Sequence, residues 1–129
     1  RLRSIIMQHD PAFEALVNEI RPLIKECTIE QVVQKFATKE QFVFIDVRED
    51  NEWSTSRIPN AIHLGRGVIE RDIAAVVPDK TTEVILYCGG GFRSALSAYN
   101  LQKMGYSNVI SMDGGIRGWK ESNLPLETK

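Results

Sequence analysis

Cysteine is scarce in this chain: Cys27 and Cys88 are the only two in 129 residues. So few, so far apart, do not make a disulfide framework. Neither has a nearby Cys or His partner, so the spacing of a metal site is missing too. No apolar run approaches the roughly 20 residues that span a bilayer. Residues 1–10 lack the charged-then-apolar layout of a secretory signal. Neither sign of charge is in excess: 16 Lys and Arg against 17 Asp and Glu leave a net charge of -1. Wholesale attraction to nucleic acid is therefore not expected. Repeats and low-complexity tracts are absent. These absences lead to the expectation of a single cytoplasmic domain with no nucleic-acid or membrane partner; a removed targeting segment would leave no trace in a sequence that starts at Arg1.

An apolar fraction of 43% is enough for one core. Phe13, Leu16, Val17, Ile20, Leu23 and Ile24 recur at helical spacing, which predicts a helix over 12–25. Asp10-Pro11 supplies its N-cap and first-turn proline, and Pro22 marks a kink or an end. Thr28 with Gln31 three residues on is a capping box, announcing a helix that buries Ile29, Val32, Val33 and Phe36. Phe42-Val43-Phe44-Ile45-Asp46 and Glu83-Val84-Ile85-Leu86-Tyr87 are short apolar runs of the kind buried in parallel sheets. Weaker strands are expected over 61–64 and 108–111. Helices follow over 68–77, 93–104 and around Trp119. Strands alternating with helices predict an α/β fold: a central, mostly parallel sheet flanked by helices. Ligands in such sheets sit beyond the carboxyl ends of the strands, where Cys88 lies.

The segment Cys88-Gly89-Gly90-Gly91-Phe92-Arg93-Ser94 joins the best strand to a helix. Its glycines permit backbone angles closed to other residues. Successive N–H groups in such a turn can converge on an anion, and the helix that follows adds its own unsatisfied N–H groups. A cysteine at that rim gains a stabilised thiolate, and a persulfide would be held by the same donors. Two plainer readings stand beside this one: a buried structural cysteine, or a glycine loop for a nucleotide phosphate. The second lacks the Lys-Ser/Thr of a P-loop and the G-x-G-x-x-G spacing.

Four motifs in order resemble the rhodanese domains: Asp46-Val47-Arg48 with Glu52-Trp53; Ile58-Pro59-Asn60-Ala61; residues 88–94 with Met104-Gly105-Tyr106; and Gly114-Gly115-Ile116-Arg117-Gly118-Trp119. The resemblance runs from about Cys27 to Pro125, so the chain divides into an N-terminal helical extension, 1–25, and a rhodanese-like domain, 26–129. It implies a sulfurtransferase with Cys88 as the sulfur-accepting nucleophile. Gly89, Gly90, Gly91, Phe92, Arg93 and Ser94 would form the persulfide cradle, with Asp46 and Arg48 as braces. It implies no cofactor or metal. The donor would be a small molecule such as thiosulfate, and the acceptor cyanide, a thiol or a carrier protein. Two departures stand out: Gly89 replaces the Arg or Lys that often follows the cysteine, and Ser56-Arg57 replaces Gly-His before Ile-Pro. Arg93, Arg57 and Arg66 are candidates to replace the missing charge, and restoring it by Gly89→Arg is expected to help thiosulfate use.

Elsewhere, Cys27 reads as structural or partly exposed, His63 as structural and His9 as solvent-side. Trp53 and Trp119 are expected in the core. Phe92 either stands at the entrance or caps the core. The N-terminal helix packs on the domain or makes a dimer interface, so the protein is expected as a monomer or homodimer. Competing functions are a cysteine phosphatase, whose cysteine and arginine are separated by five residues where Cys88 and Arg93 are separated by four, and a non-catalytic binding or regulatory module.

Overall fold

The computed structural model describes residues 9–128; the first eight residues of the 1–25 extension lie outside the described residues. Helix α1, Pro11–Ile20, is capped by Asp10, whose carboxylate accepts from the N–H groups of Ala12 and Phe13 at 3.0 and 3.2 Å. It stops short of the expected end at residue 25. Proline has no N–H to donate into a helix, and the Pro22 segment forms a 3-10 turn, Arg21–Leu23, which leads into strand β1, Lys25–Cys27. The Thr28 capping box forms as expected and starts α2, Ile29–Ala37. Of the four apolar residues expected inside, Val32 is fully buried, while Ile29, Val33 and Phe36 are partly covered.

Next come β2, Val43–Asp46; a short helix α3, Asp50–Thr55; β3, Ser56–Arg57; β4, Ile62–His63; and α4, Ile69–Val76. They are followed by β5, Val84–Tyr87; α5, Phe92–Lys103; β6, Val109–Met112; α6, Gly115–Glu121; and β7, Glu127–Thr128. Five strands form one parallel sheet in the order β1-β6-β5-β2-β4. The two remaining strands, β3 and β7, make a small antiparallel ribbon. From β2 the chain goes out to β4 on one side, then returns to β5 on the other. The C-terminal ends of β2 and β5 thus flank the switch point of the sheet, where an open α/β fold leaves a crevice.

The period of two along β5 builds both faces of the core. Val84 and Leu86 join Ile45, Ile69, Ile73, Ala98 and Leu101 on one side. Ile85 and Tyr87 join Phe44, Val32, Met112, Ile116 and Trp119 on the other. Every residue of β5 is 0% exposed, so each apolar side chain contributes roughly 1.5–3 kcal/mol by leaving water. Helix α1 lays Val17 and Ile20 on Ala95 and Leu96 of α5, which puts the N-terminal helix on the domain's own surface. No helix among the described residues is long and apolar enough to cross a membrane.

Tyr87 carries one polar duty inside this core. Its hydroxyl oxygen accepts the N–H of Ile58 at 3.1 Å, and both residues are fully buried. The Ile-Pro segment is thereby pinned to the strand that carries Cys88. Tyr87→Phe would leave that N–H buried without an acceptor, which costs about 1–3 kcal/mol. Chemical denaturation of the variant should show that loss with far-ultraviolet circular dichroism unchanged; equal stability would mean the N–H finds water.

Candidate active site

Cys88 follows β5 directly and is 1% exposed. Its Sγ accepts the N–H of Gly91 at 3.1 Å and that of Ser94 at 3.4 Å. The thiol also lies 3.6 Å from the Ser94 hydroxyl oxygen, which is 2.8 Å from the hydroxyl of Ser111 on β6. Among the described residues, Gly91 and Ser94 are the backbone donors to the sulfur; Gly89, Gly90, Phe92 and Arg93 build the rest of the turn. Gly91 has φ +108° and caps α5, a conformation that disfavours any side chain. Gly89 and Gly90 do not have positive φ, so the sequence argument from backbone freedom applies to one glycine of the three. At the other two a Cβ would meet movable guanidinium tips: on Gly89 it would lie 3.0 Å from an Arg93 nitrogen, and on Gly90 2.5 Å from an Arg117 nitrogen.

The start of the turn is anchored to α6 through two carbonyls. The first turn of α6 donates from Ile116 N–H to the Cys88 carbonyl at 2.9 Å and from Arg117 N–H to the Gly89 carbonyl at 3.0 Å. Gly115, at φ +58°, makes that approach possible: a Cβ there would meet both carbonyl oxygens at 2.5 Å. The Gly114-Gly115 pair therefore buttresses the cysteine turn, a role that the sequence motif marked without explaining. Neither Ser111 nor Glu52 was singled out as a site residue from sequence; their only signal was a place in a strand and in the Glu-Trp pair.

Arg93 makes a two-pronged pair with Glu52 of α3, at 2.8 and 3.2 Å, with one guanidinium nitrogen still beside Gly89. Those bonds hold the Glu52 carboxyl below the usual carboxylate range, against the opposing effect of burial. Asp46 and Arg48 form a buried pair of their own behind the turn. Asp46 accepts from the Arg48 N–H and guanidinium at 2.8–3.1 Å, and Arg48 reaches on to the Ser56 carbonyl at 2.6 Å. The partners of Asp46 thus come from its own strand end and not from the cysteine turn. Phe92 is covered: the rings of His9 and Phe13 lie 4.4 and 5.4 Å from it, and Arg21 lies over it at 5.2 Å. His9 is therefore not a solvent-side residue. Trp53 departs from expectation as well, being only partly buried between His63, stacked at 5.0 Å, and the Arg57 guanidinium at 4.8 Å. Trp119 does lie in the core, and His63 makes a structural contact to the Arg48 carbonyl at 2.8 Å.

A surface groove of about 560 Å³ runs beside Cys27 and α2 and not beside Cys88. Cys27 sits at the end of the edge strand with its thiol pushed up to about 11, first by burial. A thiol in that state supplies little thiolate near neutrality.

Two outcomes test this geometry. Gly115→Ala combines a left-handed backbone with a clash against two carbonyls, each costing about 1–3 kcal/mol. It should lower stability by several kcal/mol in equilibrium unfolding and slow alkylation of Cys88; normal values for both would remove the buttress from the argument. Glu52 has a folded pKa below its unfolded value, so its stabilisation is complete above about pH 4.3 and is lost as pH falls through the folded value. Glu52→Gln should accordingly be less stable than the parent at pH 7, with the difference closing below about pH 4. A gap that persists into acid would mean Glu52 acts through packing alone.

Comparison with known proteins matches this frame. The chain is 38% identical over 96 residues to the thiosulfate sulfurtransferase GlpE of Pseudomonas savastanoi pv. phaseolicola, covering 74% of this chain and 88% of that protein. It is 29% identical over 104 residues to a sulfurtransferase of Allochromatium vinosum, covering 81% and 95%. A solved structure from Rhodopseudomonas palustris, of unknown function and described as a possible tyrosine phosphatase, superposes with a TM-score of 0.80 at 24% identity, over 94% of this chain and 98% of that one; it speaks to the fold alone. The model of the rhodanese-like domain matches residues 28–122, and the chain belongs to that family.

Proposed function

We propose that this protein is a sulfurtransferase that carries one sulfane sulfur as a persulfide on Cys88. The observation that carries the reading is a cysteine sulfur at a strand end receiving two backbone N–H groups, from Gly91 and Ser94, inside a glycine turn anchored to α6. Such donors favour negative charge on sulfur, whether thiolate or persulfide. With thiosulfate as donor, the Cys88 thiolate attacks the outer sulfur. A new S–S bond forms, the bond to the oxidised sulfur breaks, and sulfite leaves with the electron pair. The terminal sulfur of the persulfide then passes to a nucleophile, which releases the thiolate. Cyanide would give thiocyanate; a thiol such as glutathione, or a carrier protein, would give its own persulfide. Both steps exchange one bond for another, so electrons balance without a cofactor. The order predicts ping-pong kinetics.

The sulfurtransferases among the relatives support this reading over a phosphatase, and so does the site. Four residues, not five, separate Cys88 from Arg93, which tightens the ring around a point near the sulfur. The Arg93 fork, which a phosphatase would aim at two phosphoryl oxygens, is taken by Glu52. Mass spectrometry after thiosulfate treatment should show one added sulfur on Cys88. Cys88→Ser should abolish it and also abolish thiosulfate:cyanide turnover, while Cys27→Ser should leave both within about twofold, as expected of a thiol with little thiolate. Aryl phosphates should not be hydrolysed. Sulfur found on Cys27, or Cys88-dependent phosphatase turnover with no persulfide, would overturn the assignment.

A further inference from the structure

The cation that often follows the cysteine in resembling domains is absent here, since Gly89 holds that place. Of the arginines proposed to replace it, each is engaged elsewhere. Arg93 pairs with Glu52, Arg57 lies on the Trp53 ring, and Arg66 lines a separate hollow with Glu49, Glu70 and Asn100. Arg21, near the turn, is shared between Glu26 and Asp113 at 3.3 and 3.5 Å. Among the described residues, Arg117 is the further guanidinium at this turn. Arg117 donates its own backbone N–H to the Gly89 carbonyl, and its side chain doubles back over the same turn. Its two terminal nitrogens lie 2.5 Å from where a Cβ would stand on Gly90 and 3.4 Å from where one would stand on Gly89. Arg117 is exposed, and among the described residues it makes no ion pair and no side-chain hydrogen bond.

We infer that Arg117 is the anion-recognition residue of this site: laid across Gly89 and Gly90, its guanidinium binds the oxygen-bearing end of an anionic sulfur donor as Cys88 takes the outer sulfur. This rests on the sulfurtransferase reading for its substrate, and on the turn alone for its preference for anions. The two glycines then have a purpose, because any side chain at residue 90 would displace the guanidinium. The charge matters because a thiolate and a dianionic donor repel each other as they approach, and sulfite leaves with two negative charges. A planar fork with unshared donors fits oxygens held by one sulfur atom. Arg93 is paired with Glu52, while Arg21 is shared by two carboxylates, Glu26 and Asp113, so Arg117 supplies the positive charge that offsets the remaining negative one. An arginine introduced by Gly89→Arg would compete with Arg117 for this place: its side chain would start 3.0 Å from an Arg93 nitrogen and 3.4 Å from an Arg117 nitrogen.

The test compares two alkylating agents that differ mainly in charge, iodoacetate and iodoacetamide, on the full chain with modification mapped to Cys88. In both reactions the thiolate forms a bond to carbon and iodide leaves, so the ratio of the two rates cancels changes in the thiolate itself. Arg117→Ala and Arg117→Gln should lower the iodoacetate-to-iodoacetamide ratio by about two- to fivefold, the size expected for one exposed charge. Arg117→Lys should keep most of it. The parent ratio should fall with added salt and the alanine ratio should not. Thiosulfate KM should rise in step with the loss. An unchanged ratio in Arg117→Ala overturns the inference, whatever thiosulfate does. A lowered ratio with no persulfide from thiosulfate leaves the anion subsite standing and instead sinks the sulfurtransferase reading.

Discussion

The packing of α6 against the cysteine turn is the contact on which this site depends. The oxygens of Cys88 and Gly89 accept N–H groups from Ile116 and Arg117, which anchors the first two peptides of the turn to α6. The turn then runs on to the N–H groups of Gly91 and Ser94, which face the sulfur. The remainder of the fold serves that contact. Pairing of β5 with β6 brings the end of β6 beside the cysteine turn, and Gly115 lets α6 come close enough to donate. Ile29 of α2 lies against Gly114 and Gly118, so the N-terminal turn of that helix holds the buttress from behind.

Charge around the turn is arranged by pairing. Glu52 takes the Arg93 fork, Asp46 takes Arg48, and Glu26 and Asp113 share Arg21. The buried Asp46–Arg48 pair is bonded through Arg48 Nε and Nη2, with a further bond from Nη2 to the Ser56 carbonyl, and such added bonds help a buried ion pair to be tolerated. Its effect is to fix the loop after β2 at the switch point. The arginine closest to the cysteine in sequence is thus a clamp, whereas Arg117, 29 positions from Cys88 in a different element, lies against the glycines of the turn.

The N-terminal helix adds a cover to one side of the same turn. Phe92 begins α5 as a large apolar side chain beside a polar loop, and it is closed over by His9, Phe13 and Arg21. Packing of α1 on α5 therefore reaches the rim of the site and ties residues outside the 28–122 family match to its shape.

Sequence by itself determined the parallel α/β frame, the helices from Thr28, Phe92 and Gly115, and the strand that delivers Cys88. These follow from local rules: a capping box, runs of β-branched residues, glycine at turns, all acting within a few residues. Strand β1 escaped because its only signal was a broken helix at Pro22, and the β3–β7 ribbon because two residues per strand carry no period. Which arginine faces the turn, what a side chain at Gly89 or Gly90 would meet, and where Phe92 and Trp53 lie were decided by the tertiary structure alone. Those answers depend on contacts between β5, β6, α1 and α3, elements tens of residues apart, and a long side chain's partner is chosen by what the fold brings within reach.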